Sequence, residues 1–165
     1  MDNFITLGWE EYATLGKHYP GGWTSDAIYC VKRAYDLKSE DFLVSLLAHE
    51  GRHFADNKLF PKLTSADLEY RAKFTELSIA KKTIYQLIDF FIDNANYESD
   101  NGHNIADYCV IRDLSKELFN VEFEKDKVKW HKINVLTINK IAYKLLQKNT
   151  KELKVIGRNV EKLIK

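Results

Sequence analysis

A mainly α (α+β) fold, helical with one small β-sheet, is what this chain predicts, and three observations predict it. Only 2 Pro and 7 Gly interrupt 165 residues, so long helices meet few breakers. From Ser39 onward, apolar residues recur at the three- and four-residue spacing of a helix buried along one face. One stretch alone, residues 27–35 (AIYCVKRAY), is dense in β-branched and aromatic side chains. A strand is expected there, with a short helix as its competitor, and any sheet is small.

The elements follow in order. Residues 2–22 carry Gly-containing breaks and the loop Tyr19-Pro20-Gly21-Gly22, so they read as irregular with one short helix near Glu10–Leu15. Ser39 is a good N-cap, and Glu40 and Asp41 suit the positive end of a helix dipole. The helix it starts, about 40–57, is apolar around most of its circumference from Phe42 to Ala48, which marks a buried central helix. Pro61 ends any continuation. Thr64 or Ser65 caps a second helix, about 66–97, long enough to bend or break; its apolar positions include Leu68, Ala72, Leu77, Ile84, Ile88 and Phe91. A polar loop at 99–102 leads to a helix over about 103–119. Residues 121–127 are charged and expected to be exposed, and helices over about 127–148 and 150–164 close the chain.

Length and charge exclude several classes. At 165 residues the chain is read as a single domain, 1–165, able to bury a proper core. A net charge of +1 offers no global basic surface, so nucleic acid is not expected as a partner. The longest apolar runs are too short for a bilayer, so no membrane partner is expected either. Cys30 and Cys109 lack metal-type spacing and read as free thiols in a reducing compartment. The first residues (MDNFITLGWEEY) have no basic start and no apolar segment of a signal peptide, so a cytoplasmic location is expected.

The stretch with chemistry in it is FLVSLLAHEGRH, residues 42–53, which holds His49-Glu50-Gly51-Arg52-His53. Residues four apart on a helix stand about 40° from each other around the axis, so both imidazoles point the same way. Two such rings with a Glu beside the first suit a zinc ion and a water-activating base. With 5 His in the chain, chance alone yields the pattern in roughly one chain in a hundred, so its surroundings must add weight. They do: on a buried helix, a carboxylate without a positive partner costs several kcal/mol, and a cation removes that conflict. Catalytic zinc wants a third protein ligand. A His six residues beyond His53 is missing, since Leu59 stands there; Glu69 and Glu76 on the next helix remain. Seven residues separate them by about 10 Å along the axis, so only one can reach the ion, and Glu69, nearer the returning chain with Ala72 behind it, is favoured.

His49-Glu-Gly-Arg-His53 with Asp-Leu-Glu69-Tyr-Arg-Ala72 resembles the zincin metallopeptidases, in the branch whose third ligand is Glu, the gluzincins. The resemblance covers about 35 residues. It implies a zincin-like core over about 23–120 with a C-terminal helical extension over about 121–165, and Zn2+ on His49, His53 and Glu69. It further implies Glu50 as general base in a water attack on an amide carbonyl of a peptide or protein substrate. The oxyanion would need another donor, for which His103, Tyr70, Arg71 and Tyr108 are candidates. Zincins commonly hold substrate as an added strand, for which residues 27–35 would supply the edge.

Other residues carry blander expectations. Asp56 is either a carboxylate that orients an imidazole or a solvated helix-end residue. Arg52 reads as an ion-pairing residue, His18 and His131 as ordinary, and Trp9, Trp23 and Trp130 as core. The Lys-rich end reads as a solvated amphipathic helix rather than a membrane or nucleic-acid arm. The competing functional reading is a catalytically inactive zincin-like domain that binds a protein partner, and oligomeric state is not encoded in any of these signals.

Overall fold

The computed structural model of the chain describes residues 21–23, 28–30 and 35–164. The helix expected near Glu10–Leu15, together with Trp9, His18 and residues 27 and 31–34 of the expected strand, lies outside them. The described elements are β1 (Gly21–Trp23), β2 (Ile28–Cys30), a π-helical segment (Phe42–Ala48) and α1 (His49–Leu59). They continue with α2 (Ser65–Ile79), α3 (Ile84–Asn94), α4 (Gly102–Phe119), α5 (Lys127–Trp130) and α6 (Val135–Ile156). The protein is mainly helical. Strand pairing among the described residues is limited to one antiparallel ladder, Gly21↔Cys30 to Trp23↔Ile28, too little to stand as the expected sheet. No described helix is long and apolar enough to cross a membrane.

Helix α2 is the centre. It is covered on nearly all sides, with Ala72, Phe74 and Leu77 fully buried, and α1, α4 and α6 pack around it. Ile84, Ile88, Val110, Ile111, Leu114, Trp130, Ile138 and Ala142 join the same apolar cluster, so residues beyond 121 belong to the main core. Helices α2 and α4 run parallel: Gly102 meets Ser65 and Ala66, Glu69 meets His103, and Lys73 meets Asp107. A Cβ on Gly102 would lie 2.6 Å from Ser65 Oγ and 3.0 Å from the Ala66 nitrogen, so this approach requires Gly.

Local signals set several helix starts. Ser39 Oγ accepts from the Phe42 N–H, and Thr64, Asn101 and Asn134 cap α2, α4 and α6 through their side chains. Long-range contacts correct three expectations. The helix expected over 66–97 breaks after Ile79, because Asn139 Nδ2 donates to the Leu77 and Ala80 carbonyls and Glu40 accepts the N–H groups of Lys81, Lys82 and Thr83. Those two polar groups satisfy the loose ends of α2 and α3, so the helix has no need to continue. The expected 127–148 and 150–164 helices are instead α5 and α6. Past Gly157, whose φ of +100° ends α6, the chain docks without helix: Asp67 Oδ1 accepts from Leu163 and Ile164, and Thr64 N donates to the Glu161 carbonyl. Within residues 121–127, Val121, Glu122, Lys125 and Asp126 are exposed as expected, but Glu124 is buried, its carbonyl accepting from Trp130 Nε1, and Phe123 stacks on Tyr108.

The π-helical segment was not foreseen. Its widened turns bury Phe42, Val44 and Leu46 and leave Leu43 half exposed. It lies between two points held from outside, Glu40 at one end and His49 at the other.

Candidate metal centre

Two polar contacts fix α1 against α2. The outer one is a buried fork: Arg71 Nε donates to Asp56 Oδ2 at 2.6 Å and Nη2 to Oδ1 at 2.9 Å, while Nη1 reaches Asn149 Oδ1 on α6 at 2.6 Å. Arg52 adds a bond from Nε to Thr75 Oγ1. With α1 so placed, the face carrying His49 and His53 turns towards α2.

One turn closer to the chain start, three groups converge. His49 Nε2 and His53 Nε2 face each other at 3.0 Å. Glu69 Oε1 lies 3.0 Å from His53 Nε2, and Oε2 lies 3.4 Å from His49 Nε2. One ligand atom from each residue falls within 4.8 Å of the others. A tetrahedral zinc bound at about 2.0–2.1 Å separates its ligand atoms by roughly 3.3 Å, so these spacings suit that ion. Two imidazoles cannot aim lone pairs at each other across 3.0 Å without a proton or cation between them.

The electrostatics agree. Burial opposes charge on His49, yet Glu69 and Glu76 outweigh it and push its pKa up to about 10. Burial would raise the Glu69 carboxyl, but the rings of His103, His49 and His53 hold it well below the usual carboxylate range. The site attracts positive charge. Glu69 Oε2 is buried without a well-directed hydrogen bond, although His103 Nδ1 stands 3.0 Å away and His49 Nε2 3.4 Å. A cation at this point would take up that oxygen. His49, His53 and Glu69 thus fit a zinc ion by donor type, spacing and this orphaned oxygen.

Glu76, the other carboxylate offered by the sequence, takes a different place. Its Oε1 lies 2.6 Å from His49 Nδ1. That contact would keep a proton on Nδ1, so that a cation displacing the Nε2 proton would find the Nε2 lone pair facing Glu69 and His53, the carboxylate–histidine arrangement typical of metal sites. Glu50 is half-buried, and none of the described hydrogen bonds or ion pairs uses it. His103 reaches the site, against Glu69. Tyr70 and Arg71 do not: Tyr70 donates to Asp113 at 2.8 Å, and Arg71 is consumed by Asp56 and α6. One and two steps past Glu69, they lie about 100° and 200° away around α2. Tyr108 stacks on Phe123 and packs at a tilt against Tyr97. Asp56 is neither solvated nor bound to an imidazole; Arg71 has it.

The sequence reading missed the Lys73–Asp107 ion pair, 2.8 Å and buried, one turn along from Glu69 and His103 on the same two helices. Its signal was present: both residues lie four positions past a site residue. Two cavities, of about 320 and 330 Å³, are lined by Tyr70, Arg112 and Asp113 and by Thr64, Gly102 and Lys162 respectively, away from the convergent rings. Set against protein-family models, characterised proteins and solved structures, the chain finds no match, so its reading rests on its own residues.

Proposed function

We propose that this chain is a zinc-dependent, gluzincin-like hydrolase that cleaves a peptide or amide bond. The observation that carries the reading is the meeting of His49 Nε2, His53 Nε2 and a Glu69 oxygen from two helices. Zinc held there would act as a Lewis acid and bring the pKa of a water to about 7. The rest is the chain's own work. Glu76 keeps His49 in one tautomer, and the Asp56–Arg71 fork holds α1 at its distance from α2. Glu50, adjacent to His49 and free of described partners, accepts the proton of the attacking water on its carboxylate and returns it to the leaving nitrogen. His103, exposed beside Glu69, is the remaining oxyanion-donor candidate that reaches the site. A cytoplasmic site of action accords with Cys30 and Cys109 being unpaired.

Protein purified without added zinc should carry about one zinc per chain by elemental analysis, and His53→Ala should carry none. Glu50→Gln should keep the metal and lose cleavage of a casein or mixed-peptide substrate. Metal retained in full by His53→Ala would move the centre elsewhere. Wild-type protein that holds zinc and cleaves nothing in such a panel would favour the non-catalytic, partner-binding reading.

A further inference from the structure

We infer that His103 is a displaceable fourth ligand of the same centre, closing it while no substrate is bound. The inference rests on the metal reading above and adds how the site is regulated. A zinc with three protein ligands takes water in its fourth position when open to chemistry and a fourth side chain when closed. His103 is placed to supply that side chain. Its Nδ1 already lies 3.0 Å from Glu69 Oε2, the buried oxygen that has no well-directed hydrogen bond.

The backbone under His103 is fixed, and its ring is not. Gly102 sits against the first turn of α2, Asn101 Oδ1 accepts the His103 N–H at 2.9 Å, and the Lys73–Asp107 pair ties the next turn of α4 to α2. The His103 side chain is 57% exposed, so little packing opposes its rotation. His103 stands outside the set of three residues whose ligand atoms lie within 4.8 Å of one another, so closing requires a turn of the ring towards them. Substrate or water displaces it by reversing that turn, which opens the position that Glu50 must serve. No bond within the protein is made or broken; an imidazole nitrogen and an oxygen donor exchange places.

The test is X-ray absorption at the zinc edge on the full chain loaded with one equivalent of Zn(II), with and without His103→Ala. Wild type should show three imidazoles and one carboxylate oxygen; the variant should show two imidazoles and an additional light oxygen donor. Chelator competition should give the variant a zinc affinity lower by at least roughly tenfold, the scale of loss seen even for partners outside the ligand set. Two imidazoles in both proteins, with equal affinities, would overturn the inference and leave the metal centre standing. Failure of the wild type to retain zinc would overturn both.

Discussion

Two buried polar clusters bridge α1 and α2 about one turn apart, and they differ in one respect. In the Asp56–Arg71–Asn149 cluster, donors and acceptors match: Arg71 gives hydrogen bonds to both Asp56 oxygens and to Asn149 and Thr150. In the His49–His53–Glu69 cluster the match is incomplete, for Glu69 Oε2 is left without a directed partner while the two rings meet Nε2 to Nε2 at 3.0 Å. A buried network with every group satisfied holds a fold together. A buried group of good ligands that satisfy one another badly is a place shaped for something else. Mutation should therefore hurt the first cluster through stability and the second through binding.

The largest effect is expected from Arg71→Met, which leaves the buried Asp56 carboxylate only Arg52 Nη1 at 3.7 Å and should cost about 3–5 kcal/mol of unfolding free energy in urea titration. Adding Asp56→Leu should restore most of it; a single variant of undiminished stability would remove the cluster's structural role. Next comes His53→Ala. Its metal-free form should lie within about 1 kcal/mol of wild type. It should, however, forgo the stabilisation that wild type gains from zinc, about 4 kcal/mol at free metal a thousandfold above Kd, as read by thermal shift with and without zinc. A large loss in the metal-free form would make the two clusters alike.

Glu76→Gln sharpens the contrast inside the second cluster. It keeps an acceptor near His49 Nδ1 but removes the charge, and should weaken zinc binding by about 10–100-fold in chelator competition while the fold stays intact. Unchanged affinity would reduce Glu76 to a packing contact. The smallest effect belongs to Glu40, a satisfied group of the first kind. Burial would raise its pKa, but the N–H groups of Lys81, Thr83 and Lys82 prevail and hold it below its ordinary 4.5. The stability it lends is thus complete above that ordinary value and lost as pH falls through the lowered one. Acid titration of Glu40→Gln should show a shallower loss of stability below pH 4.5 than wild type, and superimposable curves would exclude the carboxylate as a cap.

Legibility tracked the range of the interaction. Thr64, Asn101 and Asn134 cap helices through atoms two or three residues away, and Thr64 and Asn101 stand at starts the sequence signalled. The end of α2 could not be read locally, because Leu77, Ala80 and Lys81–Thr83 answer to Asn139 and Glu40. The last residues follow helical spacing, yet Asp67, nearly a hundred positions earlier, captures their N–H groups outside any helix. Tyr70 and Arg71 follow directly on Glu69 in the sequence, yet the turn of α2 carries them to Asp113 and Asp56 instead.

The sequence by itself determined that most of the chain would be helical and that His49 and His53 would share a face, because 3.6 residues per turn fixes the angle between positions four apart in any fold. Tertiary structure alone decided that Glu69 meets both rings while Glu76 backs one of them, and that His103 arrives from a third helix. Those choices depend on how α1, α2 and α4 cross, which is set by Asp56 against Arg71, Gly102 against Ser65 and Lys73 against Asp107, contacts between residues that no local spacing relates.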